Sequence, residues 1–149
     1  MTVMTRAVAR LLLMPSWMIA AAVLVKGYTD TGDGFSAGVI AALGVLIQFL
    51  AFGPEATADL PPVRFAREIT LTGLLLSLAV AFLPVLWGEA PMTHFPRPGE
   101  EVTHFGTLEI LTAVVFDIGV CLLVFGFMLG VVDLIARLSM RMEPTERER

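Results

Sequence analysis

The sequence predicts an all-α membrane protein with four transmembrane helices and both termini in the cytoplasm. Three observations support this: four long apolar stretches, prolines concentrated between them, and basic residues confined largely to one side. Of the 149 residues, 56% are apolar and only 16% are charged, whereas about a quarter of an ordinary soluble domain is charged. No segment alternates apolar and polar residues as a half-buried strand does. We therefore expect a single membrane domain over residues 1–149.

The four apolar stretches approach or exceed the roughly 20 residues that a helix needs to cross a bilayer. They cover approximately residues 7–25, 35–53, 69–88 and 108–132. Proline ends or kinks a helix because it lacks an amide hydrogen. Six prolines fall in the loops between spans: Pro54, Pro61, Pro62, Pro91, Pro96 and Pro98. Each apolar stretch is thus predicted to form one transmembrane helix.

The ten Lys and Arg residues predict the orientation, because loops rich in these residues stay on the cytoplasmic side. Eight of the ten lie at the start of the first span, between the second and third, or after the fourth. Only Lys26 and Arg97 lie in the other two loops. We therefore expect both termini in the cytoplasm, with residues 133–149 as a charged cytoplasmic tail.

The loop after the first span, residues 27–38, combines glycines with two carboxylates at the start of a helix. It matches neither a dinucleotide fingerprint, which needs a preceding strand, nor an EF-hand, which needs further oxygen ligands. In one interpretation, Asp33 caps the second helix while Gly32 and Gly34 allow a tight turn. In the other, Asp30 and Asp33 attract cations to a pore mouth. The first interpretation is favoured by the loop alone.

Asp117 is the strongest functional signal, as the tenth residue of the predicted span 108–132. At 1.5 Å per residue it would lie roughly 14 Å deep, where an aspartate costs about 2.5 to 3.5 kcal/mol to insert. Gly119, Gly126 and Gly130 fall on nearly the opposite face, as a close-packing surface. A helix with two such faces requires protein on both sides. We therefore expect this chain to belong to a larger membrane assembly.

Two interpretations of Asp117 remain open. It is either a hydrogen-bonded group that fixes helix packing, or a protonatable or cation-binding group on an ion path. Gln48, Thr70, Thr72 and Ser77 are expected to form hydrogen bonds between helices. The sequence contains no nucleophile and base arrangement, no zinc-type ligand set and no basic stripe for phosphates. An enzyme, a bound cofactor or metal, and a nucleic-acid partner are therefore not expected.

At these two places the chain resembles the MnhB family, the B subunits of Mrp-type multisubunit sodium/proton antiporters. That family has a Gly-His-x-x-Pro-Gly-Gly-Gly-Phe-x-Gly-Gly segment after its first helix and a Phe-Asp-x-Gly-Val segment in its last. The residues that fit are Gly27, Gly32, Gly34, Phe35 and Gly38 in the first segment, and Phe116, Asp117, Gly119 and Val120 in the second. The residues that depart from the pattern are Tyr28, Thr31, Asp33 and Cys121.

The resemblance implies an accessory subunit that lines or braces the ion path of an antiporter in the bacterial cytoplasmic membrane. Its implied partners are the other antiporter subunits, including large subunits like those of respiratory complex I, together with Na⁺, H⁺ and membrane lipid. Asp117 would then bind or relay the ion, and Asp30 and Asp33 would concentrate cations at the external mouth. Two alternatives remain: a structural scaffold of a related respiratory-type complex, and a small self-sufficient dimeric exporter.

Overall fold

A computed structural model describes residues 3–27, 32–93, 104–105, 108–109 and 112–146. Its four long helices confirm the predicted all-α architecture with four spans, and all four are long and apolar enough to cross a membrane. They are α1 (Val3–Lys26), α2 (Gly34–Phe52), α5 (Ala66–Phe82), whose apolar span continues through the next turn to Trp87, and α6 (Thr112–Glu146).

Short elements occupy the loops. Between α2 and α5 lie α3 (Pro54–Thr57) and α4 (Pro61–Arg64), each of which begins with proline, as proline's fixed φ favours at a first helical position. A 3₁₀ turn, Leu83–Trp87, follows α5. Before α6, the two-residue strands β1 (His104–Phe105) and β2 (Leu108–Glu109) pair in antiparallel fashion.

The principal contacts place the long helices in a row, in the order α1, α2, α6, α5. The last helix in sequence is therefore an interior member of the row, with α2 on one side and α5 on the other. Both faces of α6 that carry the glycines and Asp117 are thus covered within the chain. We expected a larger assembly because we assumed that the other spans of this chain could not cover both faces of α6. That assumption was wrong, since α2 and α5 cover them.

Glycines bring the backbones of neighbouring helices together. A β-carbon on Gly73 of α5 would overlap the backbone nitrogen of Leu123 in α6, and one on Gly38 of α2 would lie 2.7 Å from the carbonyl oxygen of Cys121. Small residues permit such approach between membrane helices, where dispersion contacts replace the hydrophobic effect as the main attraction. Glycine at these positions fixes the spacing of α6 from both neighbours.

The apolar core lies at the end of the row farthest from the loop between α1 and α2. It consists of five buried side chains: Val45, Phe49, Val63, Ala66 and Leu129. Because Val63 belongs to α4, the short helices fold against the long ones rather than extending away from them. This end is anchored by side-chain packing, while the opposite end is held by backbone contacts and polar groups.

Of the four polar residues expected to form hydrogen bonds between helices, Thr72 lies at an exposed position of α5, whereas Gln48 forms such a bond. Its Nε2 donates to the carbonyl oxygen of Ala9 in α1, at 2.6 Å. The hydroxyls of Thr70 and Ser77 instead donate to carbonyls four residues earlier in their own helix, at 2.7 and 2.8 Å. For these two the expectation was wrong, because the i−4 carbonyl is the nearest acceptor for a hydroxyl on a helix.

Gln48→Met, which nearly preserves side-chain volume, should destabilise the contact between α1 and α2. The expected loss is about 0.6 kcal/mol, the average for a hydrogen bond between membrane helices. The measurement is the free energy of unfolding in mixed detergent–lipid micelles. Thr72→Val, at an exposed position of α5, serves as the control. Equal stability of the Gln48 variant and the unaltered chain would show that this bond contributes nothing.

Both ends of α6 differ from the predicted span 108–132. The helix starts at Thr112, because Leu108 and Glu109 are taken into the hairpin. It continues to Glu146, so most of the expected tail, residues 133–149, is a helical extension. An i, i+4 ion pair between Asp133 and Arg137, 2.8 Å long, supports that extension.

Candidate functional site

Asp117 is the sixth residue of α6. At 1.5 Å per residue it lies roughly 7.5 Å from the helix start, nearer to the end of the span than the sequence suggested. The mid-span expectation rested on a helix beginning at Leu108. The later start places Asp117 in the second turn, at the level of the loop between α1 and α2.

The carboxylate of Asp117 is covered by that loop. Only 6% of the residue is exposed, and Oδ2 accepts a hydrogen bond from the backbone N–H of Gly32 at 2.8 Å. Gly32 has a φ of +120°, a conformation that glycine adopts without strain. A β-carbon on Gly27 would lie 3.3 Å from the same Oδ2 atom. The two glycines therefore let the backbone close over the carboxylate.

The first turns of α2 complete the enclosure of Asp117. A β-carbon on Gly34 would overlap the backbone carbonyl oxygen of Asp117. Gly38, one turn further, approaches Cys121 as described above. Phe35 points away from this contact and is exposed. The glycines of the first motif thus pack against the segment of α6 that carries the second motif. The two motifs, which are far apart in the sequence, form one site in the structure.

Asp33 lies at the N-cap position of α2, but its side chain makes no capping hydrogen bond. Its carboxylate Oδ2 instead lies 2.9 Å from Nζ of Lys26. The side-chain capping expectation is therefore wrong. The backbone of Asp33 is helical, with φ −82° and ψ −4°, rather than extended as in most N-caps. Its main-chain oxygen still accepts the N–H of Ala37 at 2.9 Å.

The remaining predicted residues divide between other contacts. Phe116 is partly buried beside Asp117. A β-carbon on Gly119 would lie 2.6 Å from Oγ of Ser77, and one on Gly126 would lie 2.6 Å from the backbone nitrogen of Thr70, so both face α5. One on Gly130 would meet no heavy atom within 4 Å in the described part of the chain. Asp30, Tyr28 and Thr31 lie outside the described residues.

In the described part of the loop and α6, the site offers a buried carboxylate, a partly exposed carboxylate and an ammonium group beside them. Among the residues that the structure describes, no three His, Cys, Asp or Glu side chains gather as metal ligands do. Carboxylates at membrane depth are candidate sites for cations or protons, and the two in this site lie beside a positively charged group. In the sequence, Lys26 served only to predict the orientation, and its contact with Asp33 was missed. The two residues are seven positions apart on either side of a glycine-rich turn, and this spacing of opposite charges could have indicated the contact.

Comparison with known proteins identifies the family of the chain. Residues 4–130 match the family described as a domain related to the MnhB subunit of Na⁺/H⁺ antiporter. Two similar proteins are the B subunits of the Na⁺/H⁺ antiporters of Alkalihalophilus pseudofirmus and Bacillus subtilis. The first is 29% identical over 110 residues, covering 74% of this chain and 75% of that protein. The second is 29% identical over 115 residues, covering 74% and 76%. Because the family match includes α1, α2, α5 and the Asp117 segment of α6, this multi-pass membrane chain belongs to the MnhB family.

Proposed function

We propose that the chain is an accessory subunit of a multisubunit Na⁺/H⁺ antiporter in the bacterial cell membrane. The observation that carries this proposal is the family match over residues 4–130, together with relatives that are themselves named as antiporter subunits. Its partners are the other subunits of that antiporter, including large subunits like those of complex I. The chain acts in transport and not as an enzyme.

We assign the Asp117 site to the external end of the row. Lys26, Gly32 and Asp117 share one end, whereas Arg10 lies over the ring of Phe52 at the other, 5.3 Å from its centroid. Most basic residues of the sequence belong to that second end, as in cytoplasmic loops. Both termini are therefore assigned to the cytoplasm.

At this external end, the carboxylates of Asp117 and Asp33 would line the outer part of the ion path, and Asp30, three residues before Asp33 in the sequence, would belong to its mouth. The support is their graded burial: Asp117 is 6% exposed, and the side chain of Asp33, in the adjoining loop, is 25% exposed. A buried carboxylate in a membrane helix is a functional candidate because inserting it is costly. A cation could pass from the exposed carboxylate toward the buried one.

A purely bracing role is favoured by one specific observation, the hydrogen bond from Gly32 to Asp117. In that case the carboxylate ties the loop to α6 and no ion touches the chain. Bracing and ion binding are compatible, since a carboxylate accepts several hydrogen bonds. The two roles are separated by the Asp117 variants described in the Discussion.

Deleting the gene for this chain tests the proposal at the level of the complex. Everted membrane vesicles from the deletion strain should lose Na⁺-dependent proton exchange, because the proposed antiporter works only when all its subunits are assembled. A plasmid copy of the unaltered chain should restore the exchange. Exchange at the original rate in the deletion strain, with the other subunits present, would contradict the proposal.

A further inference from the structure

Lys26 is the charged group of this site to which the proposed function assigns no role. It is the last residue of α1, and its side chain is 63% exposed while its Nζ lies 2.9 Å from Oδ2 of Asp33. The next residue, Gly27, is the one whose β-carbon would lie 3.3 Å from Oδ2 of Asp117 and 3.4 Å from Cβ of Asp33. The ion pair therefore lies directly beside the buried carboxylate.

The ammonium group of Lys26 carries the same unit charge as Na⁺ and binds the same kind of oxygen. Its four-carbon stem is flexible, and its charge is compact and readily hydrated. An exposed ion pair of this kind is weak, worth about 0 to 1 kcal/mol, so a dissolved cation can exchange with it. Because its stem is flexible, Lys26 can leave Asp33 and return to it while remaining attached to α1.

We propose that Lys26 competes with Na⁺ for Asp33 and thereby sets how readily Na⁺ leaves the external end of the path. This inference rests on the proposed function, in which Asp33 and Asp117 belong to that path. An ion released outward must give up Asp33, and the returning ammonium group neutralises the carboxylate that would otherwise hold it. Lys26 does not bind Na⁺ itself. It acts on Na⁺ through the charge of Asp33.

The test uses the assembled antiporter in everted vesicles, whose lumen corresponds to the cell exterior. Na⁺ is preloaded into the lumen, and the luminal concentration that halves the exchange is measured. In Lys26→Gln this concentration should fall by about five-fold, the effect of one unit charge at contact distance in a water-like medium. Lys26→Arg should restore the original value. An unchanged value in Lys26→Gln would overturn the proposal.

A matched control removes the same charge at the other end of the molecule. Arg137 is 61% exposed and pairs with Asp133 at 2.8 Å, so it closely resembles Lys26 in exposure and geometry. Arg137→Gln should leave the half-inhibiting luminal Na⁺ concentration unchanged. A similar fall in both variants would show a general effect of surface charge and would also overturn the proposal.

A double variant tests whether Lys26 acts through Asp33. In an Asp33→Asn background, Lys26→Gln should have no further effect, because the two changes are then coupled. A full second effect would contradict the proposed route. If Lys26→Gln prevents assembly, Lys26→Met replaces it, since it removes the same charge with an unbranched side chain and should lower the half-inhibiting concentration in the same way. An unchanged value there would count against the proposal.

These outcomes separate the role of Lys26 from the proposed function itself. If neither Asp117→Asn nor Asp33→Asn alters exchange, the assignment of the ion path fails. If Asp33→Asn alters the luminal inhibition but Lys26→Gln does not, the ion path stands and only the competition by Lys26 fails.

Discussion

Asp117→Asn should assemble with its partner subunits and lose most of the Na⁺-dependent proton exchange. The asparagine oxygen can still accept the N–H of Gly32, so the bond that holds the loop over α6 is preserved. The substitution removes the negative charge and the proton-accepting capacity that an ion path requires. Exchange is measured in everted vesicles, and assembly by recovery of the partner subunits in a pull-down.

Asp117→Ala separates the bracing role from the ionic one. It removes both the charge and the hydrogen bond that ties the Gly32 N–H to α6, and a hydrogen bond to a charged group contributes about 1.5 to 3 kcal/mol. Recovery of the partner subunits should therefore fall in this variant but not in Asp117→Asn. Asp133→Asn, the same substitution further along α6, should affect neither property. Normal exchange in Asp117→Asn with normal assembly would restrict Asp117 to packing.

Gly126→Leu should disrupt the packing of α5 against α6. A β-carbon there would lie 2.6 Å from the backbone nitrogen of Thr70 and 2.7 Å from the carbonyl oxygen of Ala66. Backbone atoms cannot turn aside as a flexible side chain does, so the helices must separate. Overpacking a core typically costs about 1 to 3 kcal/mol, and a leucine between two backbones belongs at the upper end. The measurement is the free energy of unfolding of the chain in detergent–lipid micelles.

Gly130→Leu is the matched control for this experiment. Gly130 is one helical turn from Gly126 in the same motif, but a β-carbon there would meet no heavy atom within 4 Å among the described residues. This variant should unfold at nearly the same free energy as the unaltered chain. Equal destabilisation by the two leucines would show that the loss reflects helix propensity or solubility rather than contact between α5 and α6.

The four spans and the glycine contacts could be predicted because they depend on local properties. An apolar run of sufficient length must form a helix in a bilayer, and the spacing of Gly119 and Gly126 places both on one face. The start of α6 could not be predicted in this way. Leu108 extends the apolar run and suits either a strand or a helix, and only its pairing with Phe105 decides between them.

The partners of the site residues could not be predicted, because they depend on how distant segments meet. Gly32 and Asp117 are 85 positions apart, and nothing in the local sequence of either indicates their hydrogen bond. For Asp33, local rules predicted a capping side chain, but the ion pair with Lys26 offered a charged partner instead. The order of helices in the row is also nonlocal, which is why coverage of both faces of α6 was missed.

Reconstitution into liposomes tests the central claim most directly, since it compares the chain with and without its assembly. A tagged copy is purified from native membranes with its partner subunits, and Na⁺-dependent proton exchange is measured beside liposomes that contain the purified chain alone. An accessory subunit predicts exchange by the assembly and none by the isolated chain. Exchange by the isolated chain at a comparable rate would contradict the account and would instead indicate a self-sufficient exporter.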